Sequence, residues 1–313
     1  MTKRTWLVLV CLVLLTANVA VGRLLGSAGD LVPVKFVGDF RQGLSAVSVG
    51  SVDDLKRLFK SAGYSWQLLL QGSVPEVLVS NLPPDFANIA DVKEKKRLFL
   101  MAITPIVMAE NQRVRADRSS VEKLVKDGLP AEGTAARREL DLLLRTYKLK
   151  LEGGDFESAR AKLLARLDEM PSALVLAQAA LESGWGTSRF VLEGNSLFGQ
   201  WTMKTGSGIA PSQRAEEDMH EVKAFPNLQA SVRDYLRNIN SHGAYQELRQ
   251  ARAMFREEGL PLDPDALAAG LTRYSERGSE YVNDITRMLQ GKELNLIHRL
   301  SAADGDIAQP TGG

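Results

Sequence analysis

The sequence predicts a mainly α-helical chain interrupted by one non-helical lobe, and three observations carry that reading. Apolar residues recur at helical spacing from Asp91 onward; the periodicity stops between about Asn195 and Phe225, where Gly199, Gly206 and Gly208 cluster near Phe198 and Trp201; and it resumes at about Ser231. With 313 residues, 44% hydrophobic and 25% charged, the chain is long enough for one large or two ordinary domains around a buried core. Its 39 basic and 38 acidic residues nearly cancel, so no global field recommends nucleic acid as a partner and binding must come from local sites.

At the N terminus, Lys3 and Arg4 precede an uncharged run from Thr5 to Gly22 that Arg23 closes. Residues 1–23 therefore read as an export segment, either a signal cleaved at the small residues Ala20-Val-Gly22 or a retained membrane anchor. The positive flank sends the rest of the chain out of the cytoplasm. Cys11, the sole cysteine, lies in this run, which excludes an intramolecular disulfide and a cysteine-based nucleophile or metal cluster in the folded part. His220, His242 and His298 lack metal-ligand spacing, so neither a metal nor a cofactor is expected.

Residues 24–73 hold seven glycines and one helix signal, Val52–Phe59, and read as a linker with local structure. The alternation in Val74-Pro-Glu-Val-Leu-Val-Ser predicts a strand or extended arm, ended by Asn81-Leu-Pro-Pro, which opens a helical extension over 74–150. Within it, Leu98, Phe99, Ala102, Ile103, Ile106, Val107 and Val114 predict a helix over 91–118, kinked by Pro105. A second helix is expected from Ser120 to about Lys126 and a third over 135–149. Asp155–Leu167 is amphipathic, and Pro171 can open the next helix because its missing N–H does no harm there. After the lobe, helices are expected at about 231–240, 245–258, 264–271 and 280–289. Residues 301–313 have the composition of a disordered tail.

The run from Leu176 through Glu182-Ser-Gly-Trp-Gly-Thr-Ser delivers one carboxylate from an apolar helix end into a glycine-marked turn. Ala179, Ala180 and Leu181 offer it no partner, and desolvation by Trp185 would raise its pKa, favouring the protonated form a general acid needs. The ordinary alternative is a solvated glutamate at a helix C terminus. In the lobe, Arg214-Ala-Glu216-Glu217-Asp218 supplies carboxylates that could face Glu182 across a groove, as a two-carboxylate glycosidase requires, or that form a solvated acidic turn. Trp185, Phe198, Trp201, Tyr274 and Tyr281 are candidates for stacking on sugars or for core packing.

Three segments, Ala177-Gln-Ala-Ala-Leu-Glu-Ser-Gly-Trp-Gly186, Asn195-Ser-Leu-Phe-Gly199 and Leu271-Thr-Arg-Tyr-Ser275 with Tyr281, resemble in order and spacing the motifs of the bacterial glucosaminidase-domain peptidoglycan hydrolases. Val74-Pro, Lys95-Lys96 with Phe99, Pro105-Ile-Val, Asn111 and Phe198-Gly-Gln-Trp201 are similar to its Bax-type branch. The similarity spans about residues 74–300. The resemblance implies a lysozyme-like helical domain over 151–300, with a small β-lobe lining a substrate groove. It implies cleavage of the β-1,4 bond after N-acetylglucosamine in peptidoglycan glycan strands, in the periplasm, by a protein that is free or attached to the inner membrane through its N terminus. Glu182 matches the catalytic acid, and Tyr274 the first tyrosine of a Tyr-Ala-Thr-Asp-Pro-x-Tyr segment. Here that segment reads Tyr274-Ser-Glu-Arg-Gly-Ser-Glu-Tyr281, keeping both tyrosines and losing the Asp-Pro. The second acid is assigned to Glu216, with Glu217 as its fallback, and Tyr274 joins Glu182 and Glu216 in the catalytic set that the resemblance implies. Trp185, Asn195, Phe198, Trp201 and Tyr281 are assigned to substrate binding. Two rival functions share these residues: a lytic transglycosylase using the same glutamate, and a peptidoglycan-binding or assembly module without turnover.

Overall fold

The computed structural model describes residues 36–37, 46–151, 155–211, 220–295 and 297. The expected export segment, Cys11, the Arg214–Asp218 run with Glu216 and Glu217, His298 and the 301–313 tail lie outside the described residues. No helix among the described residues is long and apolar enough to cross a membrane.

The first strand, β1 (Phe36–Val37), pairs in parallel with β2 (Val74–Pro75). Between them lie α1 (Val52–Ser61) and α2 (Trp66–Leu70), each begun by a serine whose hydroxyl accepts a hydrogen bond from a first-turn backbone N–H. Leu55, Leu69, Leu78, Leu82 and Phe86 are all buried. The stretch that reads as a linker with one helix therefore carries two helices and a packed core from residue 46 onward. Gly63 and Gly72, at φ +63° and +75°, close tight turns after the helices rather than loosening the chain.

Helix α3 (Val92–Leu124) begins at Asp91, whose carboxylate accepts from the N–H groups of Lys93 and Glu94. Every residue from Leu98 to Asn111 is buried, as befits a helix surrounded on all sides. Here the structure corrects the expected break after residue 118, because α3 runs on through Ser119 and Ser120. Those serines look like a helix start in sequence, but Val114, Val121 and Val125 keep one continuous stripe across them. The stripe packs against Leu140 and Leu144 of α4 (Ala135–Thr146), Leu163 of α5 (Phe156–Arg166), and Tyr147 and Leu167 just beyond those helices.

Helix α6 (Ser172–Ser183) follows Pro171, and its residues from Ser172 to Ala180 are all buried. A short helix, α7 (Arg189–Gly194), leads into the lobe, a three-stranded antiparallel sheet of β3 (Trp201–Thr202), β4 (Gly208–Ile209) and β5 (Glu221–Lys223) with β5 central. Glu221 fastens the β3–β4 connection, its two carboxylate oxygens accepting from the N–H groups of Gly206 and Gly208 at 3.0 and 2.9 Å. The chain closes with α8 (Leu228–Ser241), α9 (Gln246–Glu257), α10 (Pro264–Ala268) and α11 (Ser279–Leu289). Helix α3 packs on α6 and α8, and α11 also packs on α6.

The loop entering α6 is clamped from three helices. Asn111 of α3 grips Met170 by both backbone groups, donating to its carbonyl at 2.7 Å and accepting from its N–H at 3.2 Å. Asn240 of α8 donates to the Asp168 carbonyl at 2.8 Å. From α9, the fully buried Arg252 donates to the carbonyls of Ala165, Asp168 and Glu169, while Arg256 holds both oxygens of the Asp168 carboxylate at 3.1 and 2.9 Å. Burial pushes the Asp168 carboxyl up, but Arg252, Arg256 and Arg118 together leave it below the usual carboxylate range.

Removing one member of a buried ion pair strands the other, so Asp168→Ala should cost about 3–5 kcal/mol in urea unfolding. Because the folded pKa is depressed, the stabilisation from Asp168 is present above the ordinary carboxylate pKa and disappears as pH falls through the lowered value. Asp168→Ala should therefore flatten the acid limb of the stability curve, and an unchanged limb would contradict the clamp.

Candidate active site

Glu182 occupies the last turn of α6, four residues after Gln178, so the two share a helix face. The turn that follows is unusually constrained. Ser183 is buried; its hydroxyl donates to the Ala179 carbonyl at 2.6 Å and accepts from the Gly186 N–H at 2.9 Å. Gly184, Trp185 and Gly186 all have left-handed backbones, at φ +58°, +59° and +80°. For tryptophan that conformation is strained, and the surrounding contacts hold it. The Trp185 N–H donates to the Ala180 carbonyl at 2.7 Å, its ring meets Phe99 edge-on at 5.8 Å, and the Lys96 ammonium sits 4.6 Å from the ring centre.

A cluster of four tyrosines, in ring contact through Tyr274, feels the charge of the Glu182 carboxyl. Tyr235 from α8, Tyr245 just after it, Tyr274 from the loop before α11 and Tyr281 in α11 each have a phenol pushed to higher pKa, by burial first and by the Glu182 charge in addition. Burial raises the Glu182 pKa, opposed by a hydrogen bond from Tyr281. The raised pKa agrees with the sequence expectation, and the structure adds what its neighbours in the chain do not offer: α11, far along the chain, brings Tyr281 to the carboxyl. The groups that sense its charge are phenols, and Trp185 packs on Phe99.

The remaining candidates separate by exposure. Tyr281 is 3% exposed and stacks on half-buried Tyr274 at 5.2 Å, whose hydroxyl donates to the Phe198 carbonyl at 3.5 Å. Phe198 is also 3% exposed, and its ring lies flat on Tyr235 at 4.0 Å, so it packs the wall of the tyrosine cluster and has no free face for a sugar. Asn195 ends α7 in a left-handed conformation and donates to the Phe225 carbonyl at 3.1 Å, tying that helix to the chain leaving β5. Trp201 is 64% exposed on β3 and stacked on His220 at 4.0 Å, which leaves it the most open aromatic of the set. Glu216 cannot be located relative to Glu182, since it lies outside the described residues. Gln178, Tyr235 and Tyr245 were missed in the sequence because each falls on an apolar helical stripe and reads there as core.

The Glu182 carboxyl is half-buried at the end of an apolar helix, beside clustered phenols and a small sheet. Residues 158–294 match the family described as mannosyl-glycoprotein endo-beta-N-acetylglucosaminidase. The chain is also 30% identical over 212 residues to Protein bax of Escherichia coli (strain K12), an alignment covering 67% of this chain and 74% of that protein. The chain belongs to the glucosaminidase-domain family, in its Bax-type branch. No solved structure gives a significant match.

Gly186 is where the N-terminal arm meets this site. A β-carbon there would lie 2.5 Å from Leu82, 2.9 Å from Phe99 and 3.2 Å from Phe86, on a backbone that already disfavours side chains. Gly186→Ala should cost at least about 2 kcal/mol from overpacking and backbone strain, read as a lowered urea midpoint. A neutral substitution would show that the arm does not press on the turn.

Proposed function

We propose that this protein hydrolyses the β-1,4 bond after N-acetylglucosamine in peptidoglycan glycan strands, with Glu182 as general acid, and that it works in the periplasm, free or anchored by its N terminus. The supporting observation is the desolvated, pKa-raised Glu182 carboxyl beside its tyrosine cluster. In this reading Glu182 gives its proton to the glycosidic oxygen as the bond to the anomeric carbon breaks. The opposite face of the sugar is served in one of two ways. Glu216 takes a proton from an attacking water, or the substrate's own N-acetyl oxygen attacks the anomeric carbon and water later opens that intermediate, returning a proton to Glu182. The second route needs no second protein carboxylate, and half-buried Tyr274 would support the N-acetyl group. Trp201 supplies a platform for a sugar further along the strand.

Glu182→Gln should lower the release of reducing ends from purified peptidoglycan by about 10²–10⁴-fold without lowering the melting temperature. In the native protein kcat/KM should fall as pH rises through the elevated Glu182 pKa, because only the protonated form can donate. Retained turnover in Glu182→Gln would overturn the assignment. Mass spectrometry of the same digest distinguishes a hydrolase, which leaves reducing sugars, from a transglycosylase, which leaves anhydro ends. Binding to insoluble peptidoglycan with no product at all would identify a binding module.

Glu216→Gln separates the two hydrolytic routes. A rate that falls and is restored by azide assigns Glu216 as base; an unchanged rate assigns the nucleophile to the substrate.

A further inference from the structure

Behind Glu182 lies a buried chain of hydrogen bonds that the acid's own chemistry does not require. Tyr235 donates its hydroxyl to the side-chain carbonyl of Gln178. The amide nitrogen of Gln178 donates in turn to the Tyr281 hydroxyl oxygen at 3.0 Å, and the Tyr281 hydroxyl acts on the Glu182 carboxyl, which shares a helix face with Gln178, holding its pKa down against burial. Gln178 and Tyr235 are wholly excluded from water, so no solvent molecule competes for these groups.

The direction of every proton in this chain follows from counting donors and acceptors. Tyr235 has one hydroxyl hydrogen and gives it to Gln178, which turns the amide carbonyl toward Tyr235 and the NH₂ toward Tyr281. The Tyr281 oxygen is then an acceptor from Gln178, and its single hydrogen is left for Glu182. Were the amide reversed, its carbonyl would take the Tyr281 hydrogen and Glu182 would lose its donor. When Glu182 is protonated, the oxygen accepting from Tyr281 is the one without the proton, so the acidic hydrogen resides on the other oxygen.

We propose that Gln178 and Tyr235 are positioning residues that aim the Tyr281 hydroxyl at Glu182 and thereby select which carboxyl oxygen carries the catalytic proton. The role rests on the reading of Glu182 as the acid, but the bond chain can be tested without turnover. The titratable groups facing Glu182 among the described residues are Tyr235 from α8, Tyr245 after it, Tyr274 before α11 and Tyr281 in α11. All four have pKa values pushed above the usual phenol value, so Glu182 titrates alone among them at acidic and neutral pH.

The test is a carbon-13 NMR titration of the Glu182 carboxyl in protein labelled at glutamate, with the resonance assigned by its disappearance in Glu182→Gln. Tyr281→Phe removes the donor and should raise the Glu182 pKa. Tyr235→Phe keeps the ring but frees the Gln178 carbonyl to capture the Tyr281 hydrogen, so it should raise the Glu182 pKa in the same direction. Gln178→Met, which severs both bonds, should do likewise and guards against one variant misfolding. The Tyr235→Phe/Tyr281→Phe double variant should match Tyr281→Phe alone, because the relay acts only through Tyr281. On peptidoglycan, Tyr235→Phe should lower kcat about tenfold with KM within about twofold. A Glu182 titration that Tyr235→Phe and Gln178→Met leave in place, or single effects that add in the double variant, would overturn the relay. Activity retained in Glu182→Gln would instead overturn the glycosidase reading and leave the titration result standing.

Discussion

The structure depends on how Asp168 is held. The residue is almost excluded from water, and an ionised carboxylate in that position is tolerated because Arg252, Arg256 and Arg118 bring their charges to it, Arg256 donating to both of its oxygens. Arg252, with Asn111 and Asn240, also binds the backbone of the loop before α6. Three helices distant in sequence are thereby fastened to one short segment. What that segment launches is a helix too apolar to orient itself, because α6 is buried around its whole circumference over most of its length. The polar clamp at one end sets the direction, and the apolar walls of α3 and α11 hold the line to Glu182 at the other.

Much of this was legible in the amino-acid sequence, for reasons that can be given residue by residue. Pro171 marked the start of α6 and Gly184 its end, since both act through their own backbones. The lobe announced itself through lost periodicity and clustered glycines, and Gly208 proves to be indispensable there, because a β-carbon would meet the Val222 carbonyl at 2.2 Å. Glu182 stood out because a carboxylate is rare at the end of so apolar a run. The sequence was less informative wherever a residue's meaning depends on a distant partner. Ser119 and Ser120 imitate a helix start, and only the stripe from Val114 to Val125, packed on α4 and α5, overrules them. Gly63 and Gly72 imitate a loose linker until Tyr64 and Leu69 between them are seen to be buried.

The same limit explains the uneven reading of the site. Tyr281 and Tyr274 were found because they sit in a segment of recognisable spacing, whereas Tyr235 sits at a core position of an amphipathic helix and nothing in the sequence marks its hydroxyl. Phe198 was expected to face a sugar and instead supplies a wall, since an aromatic residue looks the same in sequence whether its ring is free or covered. Trp201 and Phe198, only three residues apart, illustrate both outcomes.

The left-handed run at Gly184, Trp185 and Gly186 has a consequence for recognition. A turn made of three consecutive residues in the least populated backbone region, packed against Leu82, Phe86 and Phe99, retains few alternative shapes. Its conformational entropy is surrendered when the chain folds, so a ligand that settles beside Glu182 has little further ordering to impose on it. The arm far upstream in sequence thus sets the rigidity of the surface that an incoming ligand meets, while contributing no atom to the chemistry.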